Sequence, residues 1–376
     1  LKPLLPEQFH GAAMAKRVSV DRWIFGITLV LVFIGLIMIF SASAVMANER
    51  FGSAYYFLLR QLAYAVAGLL ALVALMNVDY KRLKHPAIVF SFLGLTTLLL
   101  VAVFFLDRSH NTHRWVRYGS FSLQPSELAK PALILFLAYF LETRMKSIGD
   151  WRKTILPAVV PTILFAGLIV EQPDLGTAMM CVAITGAILY VAGMSMRYFG
   201  YALIPIVPAL YFLIFRTAWR RERILAFLDP FADPQGRGFH TIQSLIAVGT
   251  GGVTGSGLME GKQKLFYLPE PQTDFIFAVT AEELGLLGSL FIVVLFAIFC
   301  YRGYRLAVRT NDNFARFLAA GITTMVGVQA FFNISVVLAL LPTKGIPLPF
   351  ISYGGTSLFI MLASVGVLLN ITKQTD

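Results

Sequence analysis

Ten stretches of about 20 mainly apolar residues recur along this 376-residue chain, and a helix needs about that many to cross the hydrocarbon of a bilayer. They fall at 22–46, 56–77, 86–106, 125–142, 154–171, 174–193, 198–216, 273–300, 314–341 and 350–371. Composition agrees: 57% of residues are hydrophobic and only 14% are charged, against about 25% in an average soluble domain. The 32 Phe and 14 Tyr exclude a solvated, disordered chain. The expected fold class is an all-α polytopic membrane protein with ten transmembrane helices in a single domain over 22–371. Pro125, Ser126 and Glu127 read as a helix start with an acidic first turn. Only Gln172-Pro173 separates the fifth and sixth stretches, which form either a tight hairpin or one broken segment.

Lys and Arg concentrate in short cytoplasmic loops. An N-terminus inside places Lys16, Arg17, Arg22, Lys81, Arg82, Lys84, Arg144, Lys146, Arg152, Lys153 and Arg197 in the cytoplasm. Arg302, Arg305, Arg309, Arg316 and Lys373 follow, and ten crossings return the C-terminus there. The formal charge of +11 is therefore mostly an anchoring feature facing membrane lipids, and nucleic acid is not an expected partner. Residues 1–21 form an N-terminal cytoplasmic segment and 372–376 a short tail. Met14-Ala-Lys reads as a natural start, so 1–13 are expected to be appended sequence.

Between spans seven and eight lies the extracytoplasmic loop 217–272, too long to be a bare connection. Its apolar runs 225–231 and 242–248 are fit to dock, the second as a short helix near the outer leaflet. A glycine-rich stretch at 249–261 either lets backbone approach a ligand or serves as a linker. Arg216, Arg220, Arg221, Arg223, Asp229, Asp233, Arg237, His240, Lys262 and Lys264 give this loop the densest charge on the outer side. Cations in that position suit a diphosphate or anionic headgroups.

Asp274 follows this loop, at the edge of an apolar run. Thr273 or Asp274 is either a helix N-cap or, for Asp274, a general base at the membrane–water boundary. Glu127 and Lys130, spaced to meet on one helix face, are functional candidates or a neutralised structural pair. The same alternatives hold for Glu171, Asp174, Glu282 and Glu283. Trp115 is an interfacial anchor or a platform for a sugar ring, with Arg114 beside it for an anion. The Pro- and Gly-rich segment 341–356 reads as non-helical backbone lining a cavity, with Lys344 on the side of Asp274. The five His have no ligand-like spacing, Cys181 and Cys300 lie in apolar runs, and no hydrolase elbow or P-loop is present. Whatever chemistry or transport occurs involves a carboxylate among cations, acting on a lipid-linked anion.

Several of these stretches also form an ordered set of motifs. They include Gly35-Leu-Ile-Met-Ile-Phe-Ser-Ala-Ser-Ala, Arg114-Trp-Val, Gln124-Pro-Ser-Glu-Leu-Ala-Lys130 and Gln172-Pro-Asp-Leu-Gly-Thr. Phe227-Leu-Asp-Pro-Phe-Ala-Asp-Pro-Gln-Gly, Gln243-Ser244-Leu-Ile-Ala, Tyr267-Leu-Pro-Glu270 and Thr273-Asp-Phe-Ile-Phe follow. Leu341-Pro-Thr-Lys-Gly and Phe350-Ile-Ser352-Tyr-Gly-Gly-Thr-Ser complete the set. Over 14–371 the chain resembles the SEDS (shape, elongation, division and sporulation) family, and its Asp-Pro-x-x-Asp-Pro loop resembles the division branch. It departs from that branch at Gln272, where a histidine is usual, and at 257–264, where a serine is missing.

The resemblance implies a peptidoglycan glycosyltransferase of the inner membrane that polymerises lipid II at the outer face. Asp274 maps onto the family's proposed catalytic aspartate. Arg114, Trp115, Glu127, Lys130, Arg221, Arg223, Gln243, Ser244, Lys264, Glu270, Thr273, Lys344 and Ser352 are the candidate diphosphate or sugar contacts. Implied partners are lipid II, the growing glycan strand, a class B penicillin-binding transpeptidase and other division proteins. A divalent cation, Mg2+ or Mn2+, is expected only in company with the diphosphate. The alternatives from other classes are a lipid II flippase and a scaffold that recruits a transpeptidase.

Overall fold

The computed structural model describes residues 20–107, 113–118, 121–265 and 267–375. Most of the N-terminal segment, with Lys16 and Arg17, lies outside them. Twelve α-helices and a two-stranded hairpin make up the described chain. α1 (Arg22–Phe51), α2 (Tyr56–Asn77), α3 (Pro86–Leu106), α4 (Pro125–Thr143), α5 (Leu156–Glu171), α6 (Leu175–Val191) and α7 (Met196–Phe215) come first. α8 (Ala218–Leu228) and α9 (Phe239–Thr250) follow, then α10 (Ile276–Arg309), α11 (Asn313–Val337) and α12 (Gly355–Thr375). The hairpin pairs β1 (Val116–Tyr118) antiparallel with β2 (Phe121–Leu123), just before α4.

Among the described residues, eight helices are long and apolar enough to cross a membrane. They are α1, α2, α3, α5 with its preceding turn, α7, α10, α11 and α12. The sequence expectation of ten includes two more: α4, which carries Glu127 and Lys130 within 19 residues, and α6, which is 17 residues long. Glu171 and Asp174 bracket a tight turn, so 154–193 is a hairpin rather than one broken segment.

Local chemistry sets the helix ends. The Asp21 carboxylate accepts the amides of Trp23 and Ile24 at the start of α1, and Gly52 at φ +69° stops it. α3 and α4 begin on Pro86 and Pro125, where a missing N–H costs nothing. α11 and α12 lie deepest, with α10, α4 and α6 packed against α11 and α2 against α12. α7 stands at the rim with no buried residue.

α10 is interrupted at Gly285 (φ 67°, ψ −164°), and the glycine-rich segment lies in the break. Ser256 and Gly257 donate their amides to the carbonyls of Glu282 and Glu283. Leu286 and Leu287 donate in turn to Gly252 and Val253. Backbone groups freed by the break are thus paired, as a membrane interior requires. A Cβ at Gly251 or Gly255 would collide with the carbonyl of Ala281 or Glu283, so this stretch is a fitted insert rather than a linker.

Arg114 bonds to Gln172 and Pro173, Arg223 to Thr343 and Ser352 to Thr273, so the connections that carry them gather at one end of the helical bundle. At the opposite end Arg302 pairs with Asp21 at 2.6 Å, and Lys84 pairs with Glu142 at 2.6 Å.

Candidate active site

α8, the loop after it, the first turn of α9, the turns before α10 and the 343–345 segment enclose a cleft of about 620 Å³. Asp274 forms part of its wall, two residues ahead of the first helical residue of α10. The N-cap of α10 is Phe275, with no side-chain cap bond, and the Thr273 hydroxyl donates instead to the carbonyl of Glu270 at 3.2 Å. Neither Thr273 nor Asp274 therefore caps the helix. Among the described residues no side chain hydrogen-bonds to the half-buried Asp274 carboxylate, so both oxygens remain available. Burial pushes its pKa up to about 6, the nearby Glu270 and Asp174 add to the rise, and Arg223 and Lys344 oppose it.

Three cations share the cleft: Arg223 from α8, Arg237 from the loop and Lys344. Arg223 lies over the Trp219 ring at 5.1 Å, and its Nη1 donates to the carbonyl of Thr343 at 3.5 Å. Lys344 runs over Gly176, where a Cβ would sit 2.6 Å from its Cε, and its Nζ lies 3.4 Å from Oδ1 of Asp174. Burial lowers the pKa of Lys344 and Arg114 lowers it further, while Asp174 acts the other way. Burial likewise pushes Asp174 up, but Lys344, Arg114 and the Thr177 hydrogen bonds outweigh it and hold the carboxyl below its ordinary value. Arg114 sits behind this pair. Its Nε donates to the Gln172 carbonyl at 2.8 Å and its Nη2 to that of Pro173.

The remaining expected contacts brace the cleft or lie away from it. Ser352 donates to the Thr273 carbonyl at 2.6 Å and accepts the Leu348 amide at 2.7 Å, tying the segment before Asp274 to the 343–350 turn. Glu270 lines the cleft, and its carboxylate accepts from the side-chain Nε2 of Gln272 at 3.1 Å. Lys130 is fully buried between Glu127, at 2.9 Å, and Gln329, at 2.8 Å, and Gln329 donates to the Pro347 carbonyl. Glu127 and Lys130 thus form a buried ion pair beneath the 343–350 segment. Ser244 is buried on α9 and bonds the Val337 carbonyl at 2.7 Å, while half-buried Gln243 does not reach the cleft.

Trp115 and Arg221 also lie outside the cleft wall. Lys264 is buried against Glu283 at 2.6 Å and Ser41 at 2.9 Å, which anchors the glycine-rich insert. Met259 and Lys262 add backbone amides to Glu283 and Glu282.

Trp219, Glu222, Asp233, His240 and Gly345 line the cleft without having been singled out as contacts. The spacing of Trp219, Glu222 and Arg223 on one face of a short helix was the signal available. Asp233 turns back to accept the amides of Gly236 and Arg237, fixing Arg237 at the cleft edge. The described residues hold no group of three or more His, Cys, Asp or Glu side chains able to grip a metal ion.

The helical arrangement that carries this cleft has known counterparts. Residues 21–376 match the cell cycle protein family that groups FtsW, RodA and SpoVE. The chain belongs to that family. It is 43% identical over 341 residues to a probable peptidoglycan glycosyltransferase FtsW of Geobacter metallireducens, covering 90% of this chain and 91% of that one. It is 42% identical to the stage V sporulation protein E of Bacillus subtilis, over 96% of this chain and 99% of the relative.

Among solved structures, a chain of a peptidoglycan synthase complex that coordinates polymerization and crosslinking superposes with a TM-score of 0.78 at 27% identity, covering 95% and 99% of the two chains. The rod shape determining protein RodA of Thermus thermophilus, solved both unaltered and with an aspartate replaced by alanine, gives 0.70 at 27% identity in its unaltered form. It covers 95% of this FtsW/RodA/SpoVE chain and 98% of its own.

Proposed function

We propose that the chain is a peptidoglycan glycosyltransferase that polymerises lipid II during cell division, with Asp274 as its general base. The observation that carries this reading is the unpaired Asp274 carboxylate, with its pKa near 6, in a cleft shared with Arg223, Arg237 and Lys344. Asp274 takes the proton of the acceptor N-acetylglucosamine 4-hydroxyl. That oxygen bonds to the anomeric carbon of the N-acetylmuramic acid ending the growing strand. The bond from that carbon to undecaprenyl diphosphate breaks, and the α-linked donor becomes a β-linked product. The leaving diphosphate needs charge stabilisation more than a proton, and Arg223, Arg237 and Lys344 are placed to supply it. A divalent cation on the diphosphate belongs to the substrate, and no step is assigned to it.

The same reading takes α1–α7 and α10–α12 as ten crossings with both termini cytoplasmic. The end rich in Lys81, Arg82, Lys84, Arg144, Lys146, Arg152, Lys153, Arg302 and Arg305 then faces the cytoplasm, and the cleft faces outward. A class B penicillin-binding transpeptidase is the proposed partner, in keeping with the likeness to a synthase complex. Gel analysis of lipid II polymerisation by purified full-length protein, alone and with its transpeptidase, tests the reading. Asp274→Asn is expected to abolish polymer in folded protein; normal polymerisation by D274N would refute the assignment.

A further inference from the structure

Asn333 lies on α11 one turn beyond Gln329 and is only 1% exposed. Its amide nitrogen donates to two main-chain carbonyls, that of Asp274 at 2.8 Å and that of Ile346 at 2.7 Å. Two carbonyl oxygens this close can be met only by the NH2 end, which fixes the orientation of the amide. Its own oxygen is left buried without a partner. What an asparagine supplies here is the pair of donated bonds, which join two main-chain segments.

Among the described residues neither carbonyl accepts a main-chain N–H, for reasons written in the sequence. Pro347 and Pro349 remove backbone donors from the segment after Lys344-Gly345, and their rings push the residues before them out of the helical region. Asp274 precedes the first residue of α10. These two segments form facing parts of the cleft wall, one carrying the carboxylate and the other the Lys344 ammonium. Gln329, a turn earlier on the same helix face, holds Pro347 and Lys130 but not the segment of Asp274.

We propose that Asn333 is a positioning residue that sets the placement of the Asp274 carboxylate relative to Lys344 by bonding the main chains of both segments. It touches no substrate. The inference rests on the reading of Asp274 as the base.

Asn370 supplies a matched control at the opposite end of the bundle. It is 4% exposed and also bridges main chain, donating to the Met76 carbonyl at 2.8 Å and accepting the Tyr80 amide at 2.9 Å. Asn333→Leu and Asn370→Leu are compared in the full-length protein by thermal melting and by steady-state polymerisation of lipid II. Both are expected to lower the melting midpoint. Asn333→Leu should reduce kcat about 30-fold with KM within about threefold, since small misplacement of a reacting group is costly. Asn370→Leu should leave both constants within about twofold.

An unchanged kcat in N333L, or equal losses in the two variants, would overturn the proposal. Should N333L fail to fold, Asn333→Ser keeps one donor and is expected to show a smaller fall in kcat; wild-type kcat in folded N333S overturns the proposal equally. Asp274→Asn in the same assay separates the two levels. An active D274N removes the base, whereas an inactive D274N beside an unimpaired N333L removes only the positioning role.

Discussion

A Cβ on Gly345 would lie 2.5 Å from Oδ2 of Asp274. The carboxylate fills the room that any side chain at 345 would need, so Lys344 can flank Asp274 only because its neighbour has none. Gly345→Ala is expected to push the carboxylate aside while leaving the exposed turn folded. A displacement approaching 1 Å costs on the order of 100-fold in rate. Polymerisation rate should fall by roughly that factor with little change in melting midpoint; an unaltered rate would show that this contact does not set the position of the base.

A base must be ionised to work, so kcat/KM should decline as pH falls through about 6, the value to which burial and Glu270 raise Asp274. Removing the Glu270 charge takes away one cause of the rise. Glu270→Gln should therefore move the acid limb of the pH profile downward. The same shift has a stability consequence of fixed sign. The native carboxyl holds its proton more tightly than in the unfolded chain, whose ordinary value is 3.8, so ionisation weakens the fold as pH rises between these values. Asp274→Asn should raise the melting midpoint above pH 6, and this gain should shrink as pH falls and vanish only below 3.8. A gain undiminished at pH 4 would mean another group is responsible.

Helix positions were legible because a bilayer imposes long apolar runs, and α2 and α3 begin and end where those runs do. Departures come from chemistry that hydropathy does not see. α1 continues to Phe51 because Gly52 is the first residue to take a helix-ending conformation. The last helix starts at Gly355 rather than 350, since Ser352 and Tyr353 are bonded to Thr273 and Gln272. Asp274 could be chosen from its place at an apolar boundary among charges. Lys264 could not be assigned, because one partner, Ser41, is 223 residues away. Loop residues such as Arg237 and His240 read as general charge until the cleft brought them beside Asp274.

Arg221 and Arg223 stand two residues apart on α8, and only Arg223 lines the cleft. Residues two apart on a helix point in different directions, so the pair provides an internal comparison. Arg223→Ala should raise KM for lipid II about tenfold, the loss of one charge-assisted contact to phosphate. Arg221→Ala should change it less than about twofold. Steady-state polymerisation by both variants decides the matter, and equal effects would mean that the arginines act through general surface charge.

Lys264 and Glu283 are 2.6 Å apart, with side chains 5% and 0% exposed, and Ser41 of α1 bonds to both. Removing one member strands a buried charge, which typically costs about 3–5 kcal/mol, whereas removing both costs far less. Lys264→Met and Glu283→Gln should each lower the melting midpoint sharply, and the double variant should recover much of the loss. The glycine-rich insert in the α10 break hangs on this pair through the Met259 amide bonded to Glu283. Protease cleavage within 251–264 should therefore rise in each single variant and fall back in the double. Additive loss of midpoint in the double variant would show that the two side chains act independently and that the insert is held by its backbone bonds to α10 alone.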